Sequence, residues 1–486
     1  MRRVAAIDIG SNSVRLVIYG VTGSALISLF DEKATCGLGQ NLSVTGRLHP
    51  QGRERAIREL RRFAELAADS SLDALYPFAT AAVRDASDGA DFIAAVAEQT
   101  GLSVRVISGL EEARYSAMGV TGAIPGATGV VGDLGGGSLE LVQLVDGWVE
   151  KQATLPIGAL LRPIDVSPDE TKTWIAERLA KVPWLREESQ GNIFLVGGAW
   201  RAFARAHMRH SGYPLSIIHE YAMATEETVQ LAELIGLMSD SSVALMSSVS
   251  RRRRTIMPYA ALTLAEIVKS VRPAGVIASA HGLREGYVRH ELGLDAGDPL
   301  LDYCRFAAPT TARIAPDGAA VRAWLAPLFD GVNTETSRWL DAACWLSDLA
   351  GRDHPDRRAD IALARGTNIP SVAISHPGRA FLGTALKVRY SGQGRGAIGD
   401  GTIAGQLLTP EQAQLAVKLG TALRLAHAVS PSGYSLGLCR LSLVGDTLCL
   451  DGPSGLLSGD VVGRRLQSVA AEFEKTAVLQ GNQAAA

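Results

Sequence analysis

Two stretches of the chain place an aspartate at the end of an apolar run and follow it with glycine and serine. Asp8 in AAIDIGSNS is followed by Gly10 and Ser13, and Asp133 in VVGDLGGGS is followed by three glycines and Ser138. Turns of glycine and serine expose backbone N–H groups to an anion such as phosphate. A carboxylate at a strand end can hold Mg²⁺, directly or through water. Because the pattern occurs twice, we interpret it as two phosphate-binding turns with Mg²⁺ as cofactor rather than as a structural turn.

Glu140 follows the second turn on the same apolar strand. Side chains alternate between the two faces of a strand, so Ser138 and Glu140 share one face. A carboxylate there is a candidate for a second metal contact or for holding a water molecule, and the alternative is an exposed strand glutamate. Neither stretch has the spacing of a P-loop or of a dinucleotide-binding glycine motif, which excludes those two classes.

A further carboxylate lies at the start of a predicted helix in SGLEEARYSAMG. Ser108 and Glu111 have the spacing of a capping box, in which each side chain bonds the backbone N–H of the other residue. Glu112 is turned about 100° further round the helix, so the cap does not use it. Beside a phosphate site, such a carboxylate could take a proton from an attacking water. Arg84 follows a predicted strand in FATAAVR, where it could make a bidentate phosphate contact.

The composition describes a globular protein without a strong net charge. Of 486 residues, 47% are hydrophobic and 20% are charged, and the net charge is -2. The mean hydropathy is +0.12. With no basic field and no apolar run of about 18 residues, we predict neither a nucleic-acid nor a membrane partner. The five cysteines include no CxxC pair, which favours buried thiols in a cytoplasmic protein.

Short β-branched runs alternate with helical patterns up to about Leu301, which is typical of an α/β protein. The patterns predict helices at Arg53–Ala68 and near Asp91–Gln99, and strands at Ala74–Ala79, Ser103–Ile107, Asn192–Gly198 and Val276–Ser279. After Leu301 the patterns are mainly helical. We therefore predict three domains, at 1–123, 124–300 and 301–486.

These motifs resemble those of the Ppx/GppA family of exopolyphosphatases and guanosine pentaphosphate phosphohydrolases, within the actin, sugar kinase and Hsp70 ATPase superfamily. The matching phrases are AAIDIGSNSVRLVI, FATAAVR, VISGLEEARYSAMGV, GDLGGGSLELV, LVGGAWRAFA and ASAHGLREGYV. The resemblance implies an α/β fold of two actin-like (ribonuclease H-like) lobes with the site in the cleft between them. It also implies Mg²⁺-dependent removal of the terminal phosphate from inorganic polyphosphate or from pppGpp by water.

The resemblance also implies roles for single residues. Glu112 matches the catalytic base of the family, and Asp133 and Glu140 match its metal-associated carboxylates. Asp8, at the first turn, is a further metal candidate. The candidates for binding phosphate are Ser11, Asn12, Ser13, Arg84, Gly135, Gly136, Gly137 and Ser138. Ser11 and Gly135 are included because they lie within the two turns.

Beyond Leu301 the chain resembles the helical, HD-like domain of longer family members in a degenerate form. In WLSDLAGRDHPD, Ser347 stands where the HD pair would have histidine, so Asp348 is left alone and we expect no metal hydrolase site there. We interpret this domain as a channel wall or a dimer surface, and the resemblance implies a homodimer. Its candidate polyanion contacts are Arg365, Arg379, Lys387 and Arg389.

We predict an exopolyphosphatase that releases orthophosphate from the end of inorganic polyphosphate, with Glu112 as the base and Mg²⁺ neutralising the leaving oxygens. Three alternatives stay open: a pppGpp 5′-phosphohydrolase, an acceptor-dependent kinase of the same superfamily, and a nucleotide-sensing or filament-forming actin relative. The SGLEEA helix argues against the kinase. The carboxylates at Glu112, Asp133 and Glu140 argue against a pure sensor.

Overall fold

The alternating apolar runs at the N-terminus form a mixed five-stranded sheet. The computed structural model describes residues 1–163, 166–186, 191–246, 249–294 and 296–482. The strands of the first sheet are β1 (Arg2–Ile9), β2 (Ser13–Thr22), β3 (Ala25–Thr35), β4 (Ala74–Ala79) and β5 (Arg105–Val106). Their order is β3-β2-β1-β4-β5. The antiparallel meander of β1, β2 and β3 is thus followed by two parallel strands, β4 beside β1 and β5 beside β4.

A second sheet repeats this plan. Its strands are β6 (Gly129–Leu134), β7 (Leu139–Val145), β8 (Trp148–Leu155), β9 (Asn192–Val196), β10 (Tyr221–Met223) and β11 (Val276–Ala278). In the order β10-β11-β9-β6-β7-β8, the strands β6, β7 and β8 form the antiparallel meander, and β9 and β11 continue parallel to β6. The short strand β10 adds an antiparallel edge. The duplicated sequence pattern therefore corresponds to a duplicated sheet.

The two sheets place their motif residues at equivalent positions. Asp8 near the end of β1 pairs with Arg15 on β2, and Asp133 near the end of β6 pairs with Glu140 on β7. Each aspartate thus precedes a turn that leads into the paired strand. The duplication is unequal in charge, because Arg15 occupies in the first lobe the register position that Glu140 occupies in the second.

Helices cover both sheets. They are α1 (Leu42–Thr45), α2 (Pro50–Asp69), α3 (Ala81–Asp85), α4 (Gly89–Thr100), α5 (Gly109–Thr121), α6 (Pro168–Leu179), α7 (Gly198–His210), α8 (Thr225–Gly236), α9 (Asp240–Ala244), α10 (Arg251–Arg254), α11 (Met257–Val271) and α12 (Leu283–Leu292). Helix α2 shows why such segments pack on a sheet, because Ala56, Leu60 and Phe63 recur at helical spacing and are buried. Its opposite face carries exposed arginines such as Arg61. The predicted helix at 53–68 is confirmed.

The second part of the chain is mainly helical and carries one small sheet. Its helices are α13 (Pro299–Thr311), α14 (Gly318–Leu325), α15 (Thr334–Trp345), α16 (Arg358–Thr367), α17 (His376–Ser391), α18 (Ile403–Leu407), α19 (Pro410–Val429), α20 (Ser454–Leu457) and α21 (Asp460–Glu472). Its strands are β12 (Arg440–Val444), β13 (Thr447–Pro453) and β14 (Thr476–Asn482). Helix α17 is central, because it packs against α15, α16 and α19 and contributes Phe381 to the core.

The contacts divide the chain into two units, Met1–Gly297 and Asp298–Ala486. The first unit contains both mixed sheets, and the second is the helical part. The predicted fold class, two α/β lobes followed by a mainly helical region, is confirmed. The further boundary that we predict between residues 123 and 124 stays a prediction.

Candidate active site

The two glycine and serine turns have the same construction and lie against each other. Gly10 N donates to Ser13 O at 3.0 Å, and Gly135 N donates to Ser138 O at 2.9 Å. A Cβ added to Gly136 would lie 3.1 Å from the Cβ of Ser11. The two turns therefore approach so closely that a side chain at Gly136 would have to displace Ser11 slightly.

The second turn is supported from outside through its carbonyl groups. The carbonyl oxygens of Gly135, Gly136 and Gly137 accept hydrogen bonds from the backbone N–H groups of Ala159, Leu160 and Gly158, at 3.0, 2.8 and 3.3 Å. Within the described residues, the N–H groups of Gly136 and Gly137 have no acceptor. A turn whose carbonyls are bonded outward and whose N–H groups remain available is suited to bind an anion.

The serine and asparagine candidates differ in exposure. Ser11 and Ser138 are buried, Ser13 is half-buried, and Asn12 is exposed. The carbonyl of Asn12 accepts from the N–H groups of Cys36 and Gly37, each at 3.0 Å, so the backbone of the first turn is also fixed. Ser11 and Ser138 therefore lie on the buried side of the turns, and Asn12 lies on the side exposed to solvent.

Glu112 is positioned by the capping box that the sequence predicts. Glu111 N donates to Ser108 Oγ at 3.2 Å, and Ser108 N donates to Glu111 Oε2 at 2.8 Å. Helix α5 therefore begins at Gly109, and the side chain of Glu111 is used to cap its N-terminus. The neighbouring Glu112 is turned inward and is only 8% exposed, and its Oε2 accepts from Arg84 Nη1 at 3.2 Å. The structure thus brings together the predicted base and the predicted phosphate-binding arginine.

The environment of Glu112 favours its protonated form. Burial and the negative charge of Asp133 raise the pKa of Glu112 to about 7, although the nearby Arg84 partly opposes this rise. The charge of Asp8 also raises the pKa of Glu112, by less than burial and Asp133 do. A carboxylate whose pKa lies near neutral pH can accept a proton from water and then release it, which is what a general base requires.

Asp133 and Glu140 lie side by side on β6 and β7. Ser116 on α5 donates its hydroxyl to Asp133 Oδ2 at 2.5 Å. Glu140 is 1% exposed, and its Oε1 has no hydrogen-bond partner among the described residues. Burial and the charges of Glu112 and Asp133 raise the pKa of Glu140 well above its ordinary value. A fully buried carboxylate oxygen without a donor fits a cation as its partner.

The acidic residues fit a cation that keeps much of its water. Asp8 Oδ2 accepts from Arg284 Nη1 at 2.9 Å, and its charge raises the pKa of Glu112 and of Asp133. The described residues contain no group of three His, Cys, Asp or Glu side chains close enough to form a metal site by themselves. Mg²⁺ is ordinarily held by one or two carboxylates together with water and phosphate oxygens, so this donor set fits Mg²⁺.

Two half-buried arginines of the site were not singled out from the sequence. Arg284, the second residue of α12, pairs with Asp8. Arg201 on α7 donates to the carbonyls of Gly197 and Ala280 at 3.2 and 3.0 Å. Both belong to the matched phrases LVGGAWRAFA and ASAHGLREGYV, which could have indicated them. Burial and the charge of Arg284 lower the pKa of Arg201 to about 10. Cations thus accumulate beside the carboxylates.

Further cations surround the first turn. Burial and the charges of Arg253 and Arg15 lower the pKa of Lys33 to about 8. Burial also lowers the pKa of Arg253, with the charges of Arg205 and Arg15 adding to the shift. Arg253 belongs to the run of four arginines at 251–254. The side chain of Arg252 lies outside the part of the chain that the structure describes. One side of the site is therefore acidic and the other basic, as a metal-bound phosphate chain requires.

Helices α5 and α12 hold the acidic and basic residues at fixed positions. A Cβ on Gly286 would lie 1.7 Å from the carbonyl oxygen of Tyr115, and a Cβ on Gly119 would lie 2.1 Å from the carbonyl oxygen of Gly282. The two helices can therefore pack at this distance only with glycine at both positions. This contact links the helix that carries Glu112 to the helix that carries Arg284.

His281 has a structural environment. Burial lowers the pKa of His281, and its ring lies 5.7 Å from that of His219. The carbonyl of His281 accepts from Ser279 Oγ at 2.7 Å. Among the described residues, no hydrogen bond connects its ring to the turns. The geometry therefore supports a structural role for His281 rather than a contact with a ligand.

The candidate polyanion contacts of the second unit have different roles. Arg379 is 2% exposed and donates to the carbonyls of Thr367, Ile369 and Ser371, so the expectation that it contacts a polyanion is wrong. Arg365 is paired with Asp353 at 2.7 Å. The sequence could not distinguish these arginines because their partners are set by the fold. Lys387 is half-buried on α17, and Arg389 lines a pocket of the second unit.

None of the helices in the described part of the chain is both long and apolar enough to span a membrane.

Comparison with known proteins places these features in a family. The family model described as "Ppx/GppA phosphatase family" matches residues 17–294, and the model described as "Exopolyphosphatase, C-terminal" matches residues 325–438. The chain is 26% identical over 314 residues to exopolyphosphatase 1 of Mycobacterium tuberculosis, which covers 62% of this chain and 91% of that protein. It is 39% identical over 153 residues to exopolyphosphatase 2 of the same organism, which covers 29% of this chain and 48% of that protein.

Solved structures agree with the fold. The crystal structure of the Aquifex aeolicus member of the Ppx/GppA family is 25% identical and superposes with a TM-score of 0.53. The superposition covers 61% of this chain and 99% of that chain. The match of the first family model spans more than half of the sequence and includes the second turn, helix α5 and the second sheet. The chain belongs to the Ppx/GppA phosphatase family.

Proposed function

We propose that this chain is an exopolyphosphatase, which hydrolyses the terminal phosphoanhydride bond of inorganic polyphosphate with Mg²⁺ as cofactor. The single observation that supports it most is Glu112, a buried carboxylate with a pKa of about 7 that lies beside Arg84 and near Asp133. The named relatives, which are exopolyphosphatases, support the choice of substrate.

In the proposed reaction, the terminal phosphate of the chain lies between the two turns. The N–H groups of Gly136 and Gly137 and the guanidinium of Arg84 bind its oxygens. Arg84 already touches Glu112, so the bound phosphate and the base lie on the same side of the site. Binding both groups in one place orients the phosphorus atom for attack.

Glu112 accepts a proton from the attacking water. The water oxygen forms a bond to the terminal phosphorus while the bridging P–O bond breaks, so orthophosphate leaves and the shortened chain takes the bridging oxygen. Burial keeps competing water away from Glu112 and is also the main cause of its raised pKa. The proton that Glu112 receives is then released to solvent.

The carboxylates of Asp8, Asp133 and Glu140 would hold Mg²⁺. When bound there, Mg²⁺ would neutralise charge on the phosphate oxygens, a contribution that phosphoryl transfer generally needs. The buried Oε1 of Glu140 is the atom whose lack of a donor best fits such a cation. Arg284 fixes the orientation of Asp8 through its hydrogen bond of 2.9 Å.

The substrate is tested by measuring released orthophosphate from long-chain polyphosphate, from pppGpp and from ATP with and without a sugar acceptor, each with MgCl₂. The proposal expects release from polyphosphate without any acceptor. Release from pppGpp alone would instead make the chain a guanosine pentaphosphate phosphohydrolase. Turnover of ATP that depends on an acceptor would make it a kinase.

A further inference from the structure

Ser116 on α5 carries a fully buried hydroxyl that the proposed reaction does not use. Its Oγ donates to Asp133 Oδ2 at 2.5 Å, although the two residues belong to different elements, α5 and β6. A hydrogen bond to a carboxylate is stronger than one between two neutral groups. The bond therefore connects the helix that carries Glu112 to a candidate metal-binding carboxylate.

The partner of Ser116 is unusual for a hydroxyl inside a helix. Serine and threonine at such positions often donate to the carbonyl four residues earlier in their own helix. On α11 of the same unit, Thr263 and Ser270 do so, at 2.8 and 2.9 Å. Ser116 instead donates to a side chain 17 positions away in the sequence. Its hydroxyl is therefore used for a tertiary contact at the site rather than within the helix.

The spacing along α5 places Ser116 on the same side of the helix as Glu112. Residues four positions apart lie one above the other on a helical face. Their neighbours Ala113 and Ala117 belong to a buried cluster that includes Val131 of β6. This packing fixes which face of α5 is turned to the second sheet. One helical face thus presents both the base and the hydroxyl to the carboxylates.

The bond from Ser116 leaves the second oxygen of Asp133 without a protein donor. Among the described residues, Asp133 Oδ1 accepts no hydrogen bond. A Cβ added to Gly197 would lie 3.1 Å from this oxygen, and Gly197 has a φ of 98°, which residues with a side chain rarely adopt. Glycine therefore leaves space beside Oδ1. Because Ser116 holds Oδ2, Oδ1 is the oxygen that remains available to a cation.

We propose that Ser116 is a positioning residue for metal binding, which fixes the orientation of the Asp133 carboxylate so that its Oδ1 can bind a divalent cation. The inference rests on the metal role that is proposed above for Asp133. A carboxylate whose orientation is already fixed by a hydrogen bond has less freedom to lose when a cation binds. Loss of such a supporting partner weakens metal binding by about 10- to 100-fold.

The test is titration of the protein with Mn²⁺, in which the free ion is measured by electron paramagnetic resonance. Mn²⁺ prefers the same oxygen ligands as Mg²⁺. The test variant is Ser116→Ala, and the matched control is Ser270→Ala, which removes a helical hydroxyl from the same unit. Ser116→Ala should bind Mn²⁺ about tenfold more weakly than the wild type, and Ser270→Ala should bind it equally well. The variant Asp133→Asn identifies the Mn²⁺ that is bound at this site.

A second readout separates positioning from a general effect on the fold. At saturating MgCl₂, the KM of Ser116→Ala for long-chain polyphosphate should equal that of the wild type, because Ser116 is not among the groups proposed to bind phosphate. A rise in KM as large as the loss of Mn²⁺ affinity would indicate a general distortion and would overturn the proposal.

Two further results would overturn the inference, and they have different consequences for the proposed function. Equal Mn²⁺ affinity of Ser116→Ala and the wild type would remove the positioning role, while release of orthophosphate by the wild type would still support the proposed reaction. Equal Mn²⁺ binding by Asp133→Asn and the wild type, or none by the wild type at millimolar Mn²⁺, would remove the metal role of Asp133 together with that of Ser116.

Discussion

Replacing Glu112 by glutamine is expected to abolish catalysis and, in the absence of metal, to stabilise the fold at alkaline pH. The reason lies in the buried position of the carboxylate. Its pKa is raised to about 7 by burial first and by the charge of Asp133 second. Ionisation in the folded protein therefore costs free energy that the same ionisation in the unfolded chain does not. Glutamine keeps the shape of the side chain and has no proton to lose.

The sign and size of the effect follow from proton linkage. Between the ordinary glutamate pKa of 4.5 and the folded pKa of about 7, the unfolded chain has released the proton of Glu112 while the folded protein still holds it. The free energy of unfolding therefore falls as the pH rises through this window and stays low above it. A difference of this size corresponds to about 3 kcal/mol, at 1.36 kcal/mol for each pKa unit. The variant should gain this amount above pH 7 and almost nothing at pH 4.5.

The assay is thermal unfolding of both proteins in EDTA from pH 4.5 to pH 8.5, followed by circular dichroism. The melting temperature of Glu112→Gln should exceed that of the wild type by several degrees at pH 8, and the two should converge at pH 4.5. The control is Glu111→Gln, because hydrogen bonds from Ser108 lower the pKa of Glu111. That change should reduce stability at pH 8. Equal melting temperatures for Glu112→Gln and the wild type at every pH would refute the assigned environment of Glu112.

Three further predictions concern the site and its support. Glu140→Gln should raise the Mg²⁺ concentration for half-maximal phosphate release at least tenfold, and an unchanged metal titration would remove Glu140 from the metal site. Arg84→Gln should move the acidic limb of the pH dependence of kcat/KM to higher pH, because Arg84 opposes the rise in the pKa of Glu112; a limb that moves to lower pH would contradict this. Gly286→Ala should lower the melting temperature by several degrees, because its Cβ would lie 1.7 Å from the carbonyl oxygen of Tyr115; an unchanged melting temperature would show that α5 and α12 can move apart.

Much of the site could be predicted because its parts are local in sequence. The capping box at Ser108 and Glu111 forms as its spacing indicates, and it leaves Glu112 for another role. The strand at Ala74–Ala79 has the predicted bounds. The predicted strand at Ser103–Ile107 is shorter, because only Arg105–Val106 pair with β4 at the edge of the sheet.

The rest depends on contacts between distant parts of the chain. Asp8 and Arg284 are 276 positions apart, and no local pattern indicates that they pair. The pKa of Glu112 depends on burial and on Asp133, which only the folded lobes bring close. Arg379 has the positive charge that a polyanion contact needs, but its guanidinium donates to three backbone carbonyls instead. Residue type alone cannot separate a cation that is bonded inside the fold from one that is available to a ligand.

The central claim, attack of water on the terminal phosphorus with Glu112 as base, is tested most directly by hydrolysis of long-chain polyphosphate with MgCl₂ in ¹⁸O-labelled water. Mass spectrometry of the product from the wild type and from Glu111→Gln should show one ¹⁸O atom in each released orthophosphate, and Glu112→Gln should release almost none. Label in the shortened chain instead of in orthophosphate, or a near-normal rate for Glu112→Gln, would contradict the proposed mechanism.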